Sequence, residues 1–153
     1  PEFTRTRTGQ FHISYLAGNL KNLLRLPVPD PESHVLQFPT DNGMAFWLAA
    51  PLFLTIAAAW LYAMIRKRRQ QMFLLILLPL LALLHVLFIC SHRTLGGWHF
   101  GNRYLLDLLP YLFYGLLVWK PQGEWFARWN MPLFYIGLSL QLIGTAATYN
   151  HWI

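Results

Sequence analysis

Charged residues are scarce in this sequence. Only 12% of the 153 residues are Asp, Glu, Lys or Arg, about half the share of a typical soluble domain. So few charges cannot cover a water-facing surface, whereas 56% of the residues are hydrophobic and occur in long blocks. Apolar blocks of this kind indicate a chain that lies in lipid. We therefore expect an all-α, polytopic integral membrane protein.

Cysteine and the common catalytic motifs are also nearly absent. Cys90 is the single cysteine, so the chain cannot form an internal disulfide or a cysteine-based metal site. There is no glycine-rich phosphate loop, no zinc-type His-Glu pattern and no serine elbow. His85, His92 and His99 match no metal-binding spacing. We predict neither a metal nor a cofactor.

The net charge of +6 is concentrated in one short block, Arg66–Arg69, between two apolar runs. Basic residues there are the positive-inside signal of a membrane protein rather than a nucleic-acid surface, so we expect no nucleic-acid partner. The block should be a cytoplasmic turn, and the turn 120–130, with two basic residues and one acid, should lie on the same side. Residues 1–43, 91–103 and 150–153 would then face outward.

Four apolar segments predict about four transmembrane helices, which would contact membrane lipids. They cover approximately 44–65, 72–90, 104–119 and 131–149. The first is uncharged and, at about 1.5 Å per residue, long enough for a hydrocarbon core of about 30 Å. Pro79 should kink the second. Asp107 and Pro110 interrupt the third, whose start could be a loop or a helix end.

The segment 1–43 is more polar than the transmembrane region 44–153. Its apolar residues between 11 and 24 recur at helical spacing and predict an outward amphipathic helix, weakened by Gly18. This helix should lie on the membrane surface or pack on parts of the protein outside this sequence. Three prolines then rule out its continuation. The opening residues include neither an initiator Met nor a leader, which is typical of a processed product, a cloning remnant or part of a longer chain.

The most unusual stretch is GGWHFGNRYLLDLLP, residues 96–110. Its glycines allow tight turns and close approach to a ligand. Arg103 and Asp107 lie four residues apart and would share one face of an α-helix. Two charged groups at a membrane helix end are costly unless they pair or serve a function. Either they form a structural ion pair, or Arg103 holds an anionic group such as a lipid phosphate while Asp107 orients it.

The remaining candidate residues surround this pair or lie inside the apolar spans. Trp98 and His99 could stack on a sugar ring or lie at the membrane interface, and Gly101 belongs to the same glycine loop. His85 either has a function or bonds a backbone carbonyl. Gln141 fits a hydrogen bond between helices better than a substrate contact. In the last span, small residues at 144 and 148 give one step for close helix packing.

The stretch from Gly97 to Pro110 resembles a late motif of polytopic GT-C glycosyltransferases, a superfamily that includes protein mannosyltransferases and bacterial enzymes using polyprenyl-phosphate sugars. The order of the segments around Phe11 and Asp41 is also similar. The resemblance implies the C-terminal part of a larger enzyme, with a catalytic acid in an earlier loop. No catalytic residue can therefore be assigned here. Arg103, with Asp107 and the glycine loop, would be a wall that contacts lipid phosphate and sugar.

Two functions of different classes remain open, and whether this chain is itself an enzyme is undecided. The first is the membrane portion of a glycosyltransferase with a polyprenyl-phosphate sugar donor, completed by further helices of the same protein. The second is an accessory subunit of a larger membrane complex, with aromatic-rich helices as its binding surface. A transporter would need polar residues along several spans, and only His85, Asp107 and Gln141 qualify.

Overall fold

A computed structural model describes residues 8–32, 36–37, 44–66, 72–95, 103–119 and 124–149. The α-helices are α1 (Leu16–Leu23), α2 (Phe46–Ala49), α3 (Leu52–Ile65), α4 (Met72–Ser91), α5 (Leu109–Trp119) and α6 (Glu124–Tyr149). Two 3-10 helices, Ile13–Tyr15 and Arg103–Leu108, lead into α1 and α5. Helices thus make up most of the described residues, which agrees with the predicted all-α class.

A short antiparallel ladder follows α1, which the sequence did not predict. β1 (Val28–Pro29) pairs with β2 (Leu36–Gln37), so that Val28 lies opposite Gln37. Proline has no N–H with which to continue a helix, but it is tolerated in a short edge strand. The predicted end of the amphipathic helix is therefore confirmed, but the backbone after it is a strand pair rather than a plain loop.

The first predicted span, 44–65, is not one continuous helix. α2 ends at Ala49, Ala50 leaves the helical conformation with φ −138° and ψ 83°, and α3 begins at Leu52. Pro51 explains the break, because proline has no N–H and disfavours helical backbone in the residue before it. The prediction of an unbroken first span was wrong at this point.

The second predicted span agrees with the structure. α4 runs over 20 residues from Met72 to Ser91 with Pro79 inside it, against the predicted range 72–90. Within the described part of the chain, it is the one helix long and apolar enough to cross a membrane, by length and composition. The apolar helices Leu52–Ile65 and Tyr104–Trp119 are shorter.

The third span, 104–119, begins differently from an α-helix. Its first turns, Arg103–Leu108, are 3-10 helix and only the remainder is α5. In a 3-10 helix residues three apart share a face, whereas residues four apart do not. The prediction that Arg103 and Asp107 share one helical face is therefore wrong for this backbone. Tyr104, three residues before Asp107, shares a face with it instead.

The fourth span, 131–149, extends further toward the N-terminus than predicted. α6 begins at Glu124 and has 26 residues. The polar segment predicted as the turn 120–130 is therefore helical from Glu124 onward. The apolar run predicted the middle and the end of this helix correctly, but not its polar first turns.

The core lies where α3, α4 and α5 meet, with α1 packed over one end. Ala59 and Ala63 of α3 are fully buried at i and i+4, and their small side chains allow close approach of neighbouring helices. Leu23 and Asn19 of α1 are buried too. The amphipathic helix thus packs on the chain's own helix α4.

α6 packs along a narrow face on the break between α2 and α3. Gly137, Gln141 and Gly144 lie at i, i+4 and i+7, so they share one side of the helix. Gly137 and Gly144 are buried and Gln141 is half-buried. A Cβ at Gly137 would lie 2.9 Å from Cδ of Pro51. Gly144 is one of the two small residues predicted to allow close helix packing. It belongs to a packed helix face that continues toward the N-terminus through Gln141 to Gly137.

Candidate functional site

The N-terminal segment is joined to the carboxyl end of α4 by backbone hydrogen bonds. Phe11 and His92 form an isolated antiparallel bridge. The N–H of His12 donates to Ser91 O at 2.8 Å, and the N–H of Arg93 donates to Gln10 O at 2.8 Å. The last carbonyls of a helix have no partner inside it, so a pairing segment satisfies them. The N-terminal segment and the residues that follow α4 are therefore one structural unit.

Asn19 strengthens this joint from inside α1. Its side-chain Nδ2 donates to Cys90 O at 2.9 Å and to His92 O at 2.6 Å. The residue is only 6% exposed. A buried amide that satisfies two helix-end carbonyls ties α1 to α4, because either group would be costly to leave unpaired.

A cavity of about 280 Å³, which we call the polar pocket, opens beside this joint. Its lining residues are Phe11, His85, Phe88, Ile89, His92, Tyr104 and Asp107. His85 and Phe88 are three residues apart on one face of α4, and His92 follows directly after the helix ends at Ser91. Tyr104 and Asp107 are at i and i+3, which coincide in direction in a 3-10 helix. Two regular elements therefore present one face each to the pocket.

Aromatic contacts hold the mouth of the polar pocket. The ring of Phe11 stacks on Phe88 with centroids 5.0 Å apart and meets the edge of His92 at 4.9 Å. His92 Nδ1 lies 2.6 Å from Thr94 O, to which it can donate. This bond and the ring contact fix the imidazole, and Phe11 closes the side of the pocket toward the N-terminal segment.

The other wall of the pocket carries a weaker polar contact. His85 Nε2 is 3.4 Å from Tyr104 O, to which it donates. Of the two predicted roles for His85, bonding to a backbone carbonyl is confirmed. Asp107 is exposed, and its carboxylate has no hydrogen-bond partner within the described ranges. Nor do these ranges contain three His, Cys, Asp or Glu side chains placed to hold a metal ion.

Only part of the sequence-predicted site can be located. Trp98, His99 and Gly101 lie outside the described residues. Arg103 is described by its backbone alone, as the first residue of the 3-10 helix. Asp107 lies in the polar pocket together with His85, which the sequence had suggested separately.

Reasoning from sequence alone missed five of the wall residues, namely Phe11, Phe88, Ile89, His92 and Tyr104. Phe11 was counted only as part of an apolar helix face, and Tyr104 only as the start of a span. His92 was considered only as a metal ligand. The spacing of Phe88 from His85 could have identified a shared helix face. The contact of that face with Phe11 joins positions far apart in the chain, so no local pattern reports it.

A second, larger cavity of about 340 Å³ lies on a neighbouring face of the same helices. We call it the apolar cavity. It is lined by Leu20, Leu23, Leu24, Phe46, Phe53, Ile56, Ala57, Trp60, Pro79, Ala82, Leu83, Val86, Leu105, Leu108, Leu112 and Trp119. Leu105 follows Tyr104 of the polar pocket, and Leu108 follows Asp107. One step in a 3-10 helix turns the side chain by about a third of a circle, so the two leucines lie on a different face of the helix from the polar-pocket residues.

Two backbone carbonyls near prolines accept hydrogen bonds from side chains of other helices. Pro79 has no N–H, so Leu75 O lacks its donor four residues later; Trp60 Nε1 donates to this carbonyl at 2.9 Å. At the α2–α3 break, Gln141 Nε2 donates to Ala49 O. The predicted helix–helix hydrogen bond of Gln141 is therefore confirmed.

No family model matches the chain, and neither the curated proteins nor the solved structures include a significant match to it.

Proposed function

We propose that this chain is the membrane portion of a glycosyltransferase that uses a lipid-linked, polyprenyl-phosphate sugar. Its polar pocket would contact the head of that donor. One observation carries the proposal: Asp107, from the stretch that resembles the GT-C motif, shares a pocket with two imidazoles and three aromatic rings. The motif residue thus has neighbours whose chemistry suits a sugar.

The lining of the polar pocket provides complementary groups for a sugar. Phe11, Phe88 and Tyr104 have flat apolar faces that can cover the C–H side of a sugar ring. The Asp107 carboxylate accepts hydrogen bonds from hydroxyl groups, and imidazole nitrogens can donate or accept. A volume of about 280 Å³ is just below the range of about 300–1,000 Å³ typical of small-ligand pockets. It suits one sugar residue rather than an oligosaccharide.

Within this proposal the chain binds the donor and does not supply the catalytic acid. Asp107 would orient the sugar, and Arg103, which enters the same 3-10 helix, would contact the phosphate with its bidentate guanidinium group. Trp98, His99 and Gly101 would complete the wall from the glycine loop. The acid would come from other helices of the same protein.

The proposal includes four membrane crossings, with the Arg66–Arg69 turn in the cytoplasm and the polar pocket outside. α4 meets the length and composition of a span, and α6 has 26 residues, more than the roughly 20 that a crossing needs. Side-chain donors to the two backbone carbonyls near prolines support a lipid environment, because water is absent there to satisfy free carbonyls. α2 and α3 together, and the 3-10 helix with α5, would be the other two crossings.

The test is capture of a photoreactive polyprenyl-phosphate sugar by the full protein in proteoliposomes. Asp107→Asn and Arg103→Gln are each expected to lower capture about tenfold, the usual effect of losing one charge-assisted hydrogen bond. Glu124→Gln is the matched control, since Glu124 is an exposed carboxylate at the start of α6. Equal capture by wild type and both pocket variants would refute the site, and no capture by any of them would refute the substrate class.

An accessory subunit is the second candidate, favoured by the outer surface of α6. Within the described residues this helix packs only on α2 and α3 in substantial contact, and Trp129 remains 67% exposed. Large apolar residues continue along the helix at Phe134, Tyr135, Leu138 and Leu142. Such a face suits other membrane helices. The two candidates differ in the capture experiment, because a purely structural subunit takes up no donor.

A further inference from the structure

We propose that α1 and the apolar cavity beneath it form a binding site for an anionic phospholipid. One acyl chain would occupy the cavity, and the lipid phosphate would lie at Lys21. This site is separate from the polar pocket and does not depend on the proposed function.

The walls of the cavity come from six elements and are almost wholly hydrocarbon. α1 contributes three leucines, α2 contributes Phe46, α3 and α4 contribute aromatic and aliphatic residues, and the 3-10 helix with α5 closes the remaining side. Its volume of about 340 Å³ is within the range of about 300–1,000 Å³ for ligand pockets. All of its lining residues are aliphatic or aromatic, and none carries a charge, so the interior suits a flexible hydrocarbon chain.

The mouth of the cavity opens toward the surface that lipid would cover. Leu24 on α1 is 59% exposed and Leu83 on α4 is 54% exposed, although both line the cavity. Leu83 belongs to the helix whose length and composition suit a membrane crossing. An acyl chain of the surrounding bilayer could therefore enter sideways without crossing a polar barrier.

A basic hollow adjoins this mouth. It is lined by Lys21, Asn22, Leu24 and Arg25, so Leu24 belongs to both the hollow and the cavity. No carboxylate is among the described residues that line it. An amphipathic helix with basic residues beside an apolar face is typical of binding at a lipid surface, and basic side chains favour anionic over neutral head groups. Basic side chains and an apolar cavity thus lie side by side at Leu24, as the phosphate and the acyl chains do in a phospholipid.

The experiment measures lipid retention by the full chain, purified in detergent, using native mass spectrometry. Phosphatidylglycerol and phosphatidylcholine with the same acyl chains are the probes. We expect phosphatidylglycerol to be retained preferentially. Lys21→Gln should weaken its retention about fivefold, the effect of one basic residue near a lipid surface. Arg128→Gln removes another exposed charge, from α6, and should have no such effect.

A second pair of variants tests the cavity itself. Ala57 and Ala58 are neighbours on α3 and both are exposed, but only Ala57 lines the cavity. Ala57→Phe should fill the space and abolish retention of both lipids, whereas Ala58→Phe should leave retention unchanged. Circular dichroism of each variant checks that the helices remain folded.

Three results would overturn this inference. Equal retention of the two lipids would remove the role of the basic hollow. Equal effects of Ala57→Phe and Ala58→Phe would remove the role of the cavity. Displacement of phosphatidylglycerol by equimolar polyprenyl phosphate would assign the cavity to a different lipid.

Discussion

At the scale of single residues, three polar side chains inside the apolar helices bond to backbone carbonyls. Trp60 and Gln141 bond to carbonyls that lack a helical donor near Pro79 and Pro51, and His85 bonds to Tyr104 O. In a membrane this arrangement replaces the hydrogen bonds that water would provide. A polar residue in an apolar span is therefore not by itself a sign of substrate binding, and Asp107 differs because it has no such backbone partner within the described residues.

Two tryptophans provide a matched test of this argument. Trp60 Nε1 donates to Leu75 O, whereas Trp119 Nε1 is buried and has no partner within the described residues. Trp60→Phe should lower the free energy of unfolding by about 1–3 kcal/mol beyond the lost ring area, because Leu75 O is left without a donor. Trp119→Phe should lack this extra cost. Thermal unfolding in detergent, followed by circular dichroism, measures both.

Pro79 provides a second test of the same hydrogen bond. If the hydrogen bond to Leu75 O matters because Pro79 removed the helical donor, Pro79→Ala should restore that donor and reduce the cost of Trp60→Phe. Additive effects of the two substitutions would contradict this explanation, since coupled residues give non-additive energies.

At the scale of elements, two contacts decide how the helices meet: α6 on the α2–α3 break, and α1 on the end of α4. The first needs a glycine, because a Cβ at Gly137 would lie within 2.9 Å of Pro51. The second needs a buried amide, because Asn19 satisfies two carbonyls at once. Both joints lie at helix ends or breaks, where backbone groups would otherwise be unpaired.

Alanine substitution should distinguish a packing glycine from an unconstrained one. Gly137→Ala should destabilise the protein by about 1–3 kcal/mol through overpacking against Pro51. A methyl group at Gly18 in α1 would have no other described atom within 4 Å, so Gly18→Ala should stabilise the protein by up to about 1 kcal/mol through helix propensity. Unfolding midpoints in the same detergent compare the two, and a shift in the same direction for both would contradict the assignment.

The joint between α1 and α4 is tested with two asparagines of the same helix. Asn19→Ala should cost about 1–3 kcal/mol, because it leaves the carbonyls of Cys90 and His92 without their side-chain donor. Asn22→Ala should be nearly neutral, since the Asn22 side chain makes no hydrogen bond within the described part of the chain. Limited proteolysis of the N-terminal segment provides a second measurement, and equal cleavage of both variants would argue against the joint.

At the scale of the whole molecule, the two cavities lie on neighbouring faces of the same α4 and 3-10 helix backbone. The polar pocket uses His85 and Asp107, and the apolar cavity uses Val86 and Leu108, each one residue further along. A rotation or register change in either element would therefore alter both cavities together.

The proposed topology is tested by cysteine labelling from each side of the membrane, in a Cys90→Ala background. Gln70→Cys, beside the basic block, should react only from the cytoplasmic side, since basic turns are retained there. Glu32→Cys, in the exposed segment after β1, should react only from outside. Labelling of both positions from the same side would contradict the four-span arrangement.

Much of the fold could be predicted from the sequence. The limits of α4 and the amphipathic character of α1 follow from apolar length and period, which are local properties. The break at Pro51 could also have been recognised, because proline acts on its immediate neighbours. The 3-10 start of the third span could not, since its alternative is an α-helix of almost the same sequence preference.

The candidate site was less accessible to sequence reasoning. Arg103 and Asp107 were selected by charge within an apolar context, and Asp107 does line a pocket. The remaining walls come mainly from Phe11 and from the carboxyl end of α4 with His92 directly after it, which are distant in the chain. No periodic pattern links such positions, because they meet only after the N-terminal segment has paired with the end of α4.

By itself, the sequence determined the helical, apolar character of this protein, because hydrophobic blocks and prolines act over a few residues. The tertiary structure alone decided which polar groups form hydrogen bonds within the chain and which face a cavity. Trp60 and Gln141 were assigned to backbone carbonyls, while Asp107 was left facing a pocket. The physical reason is that a hydrogen bond depends on the distance between its partners in space, which their separation in the chain does not determine.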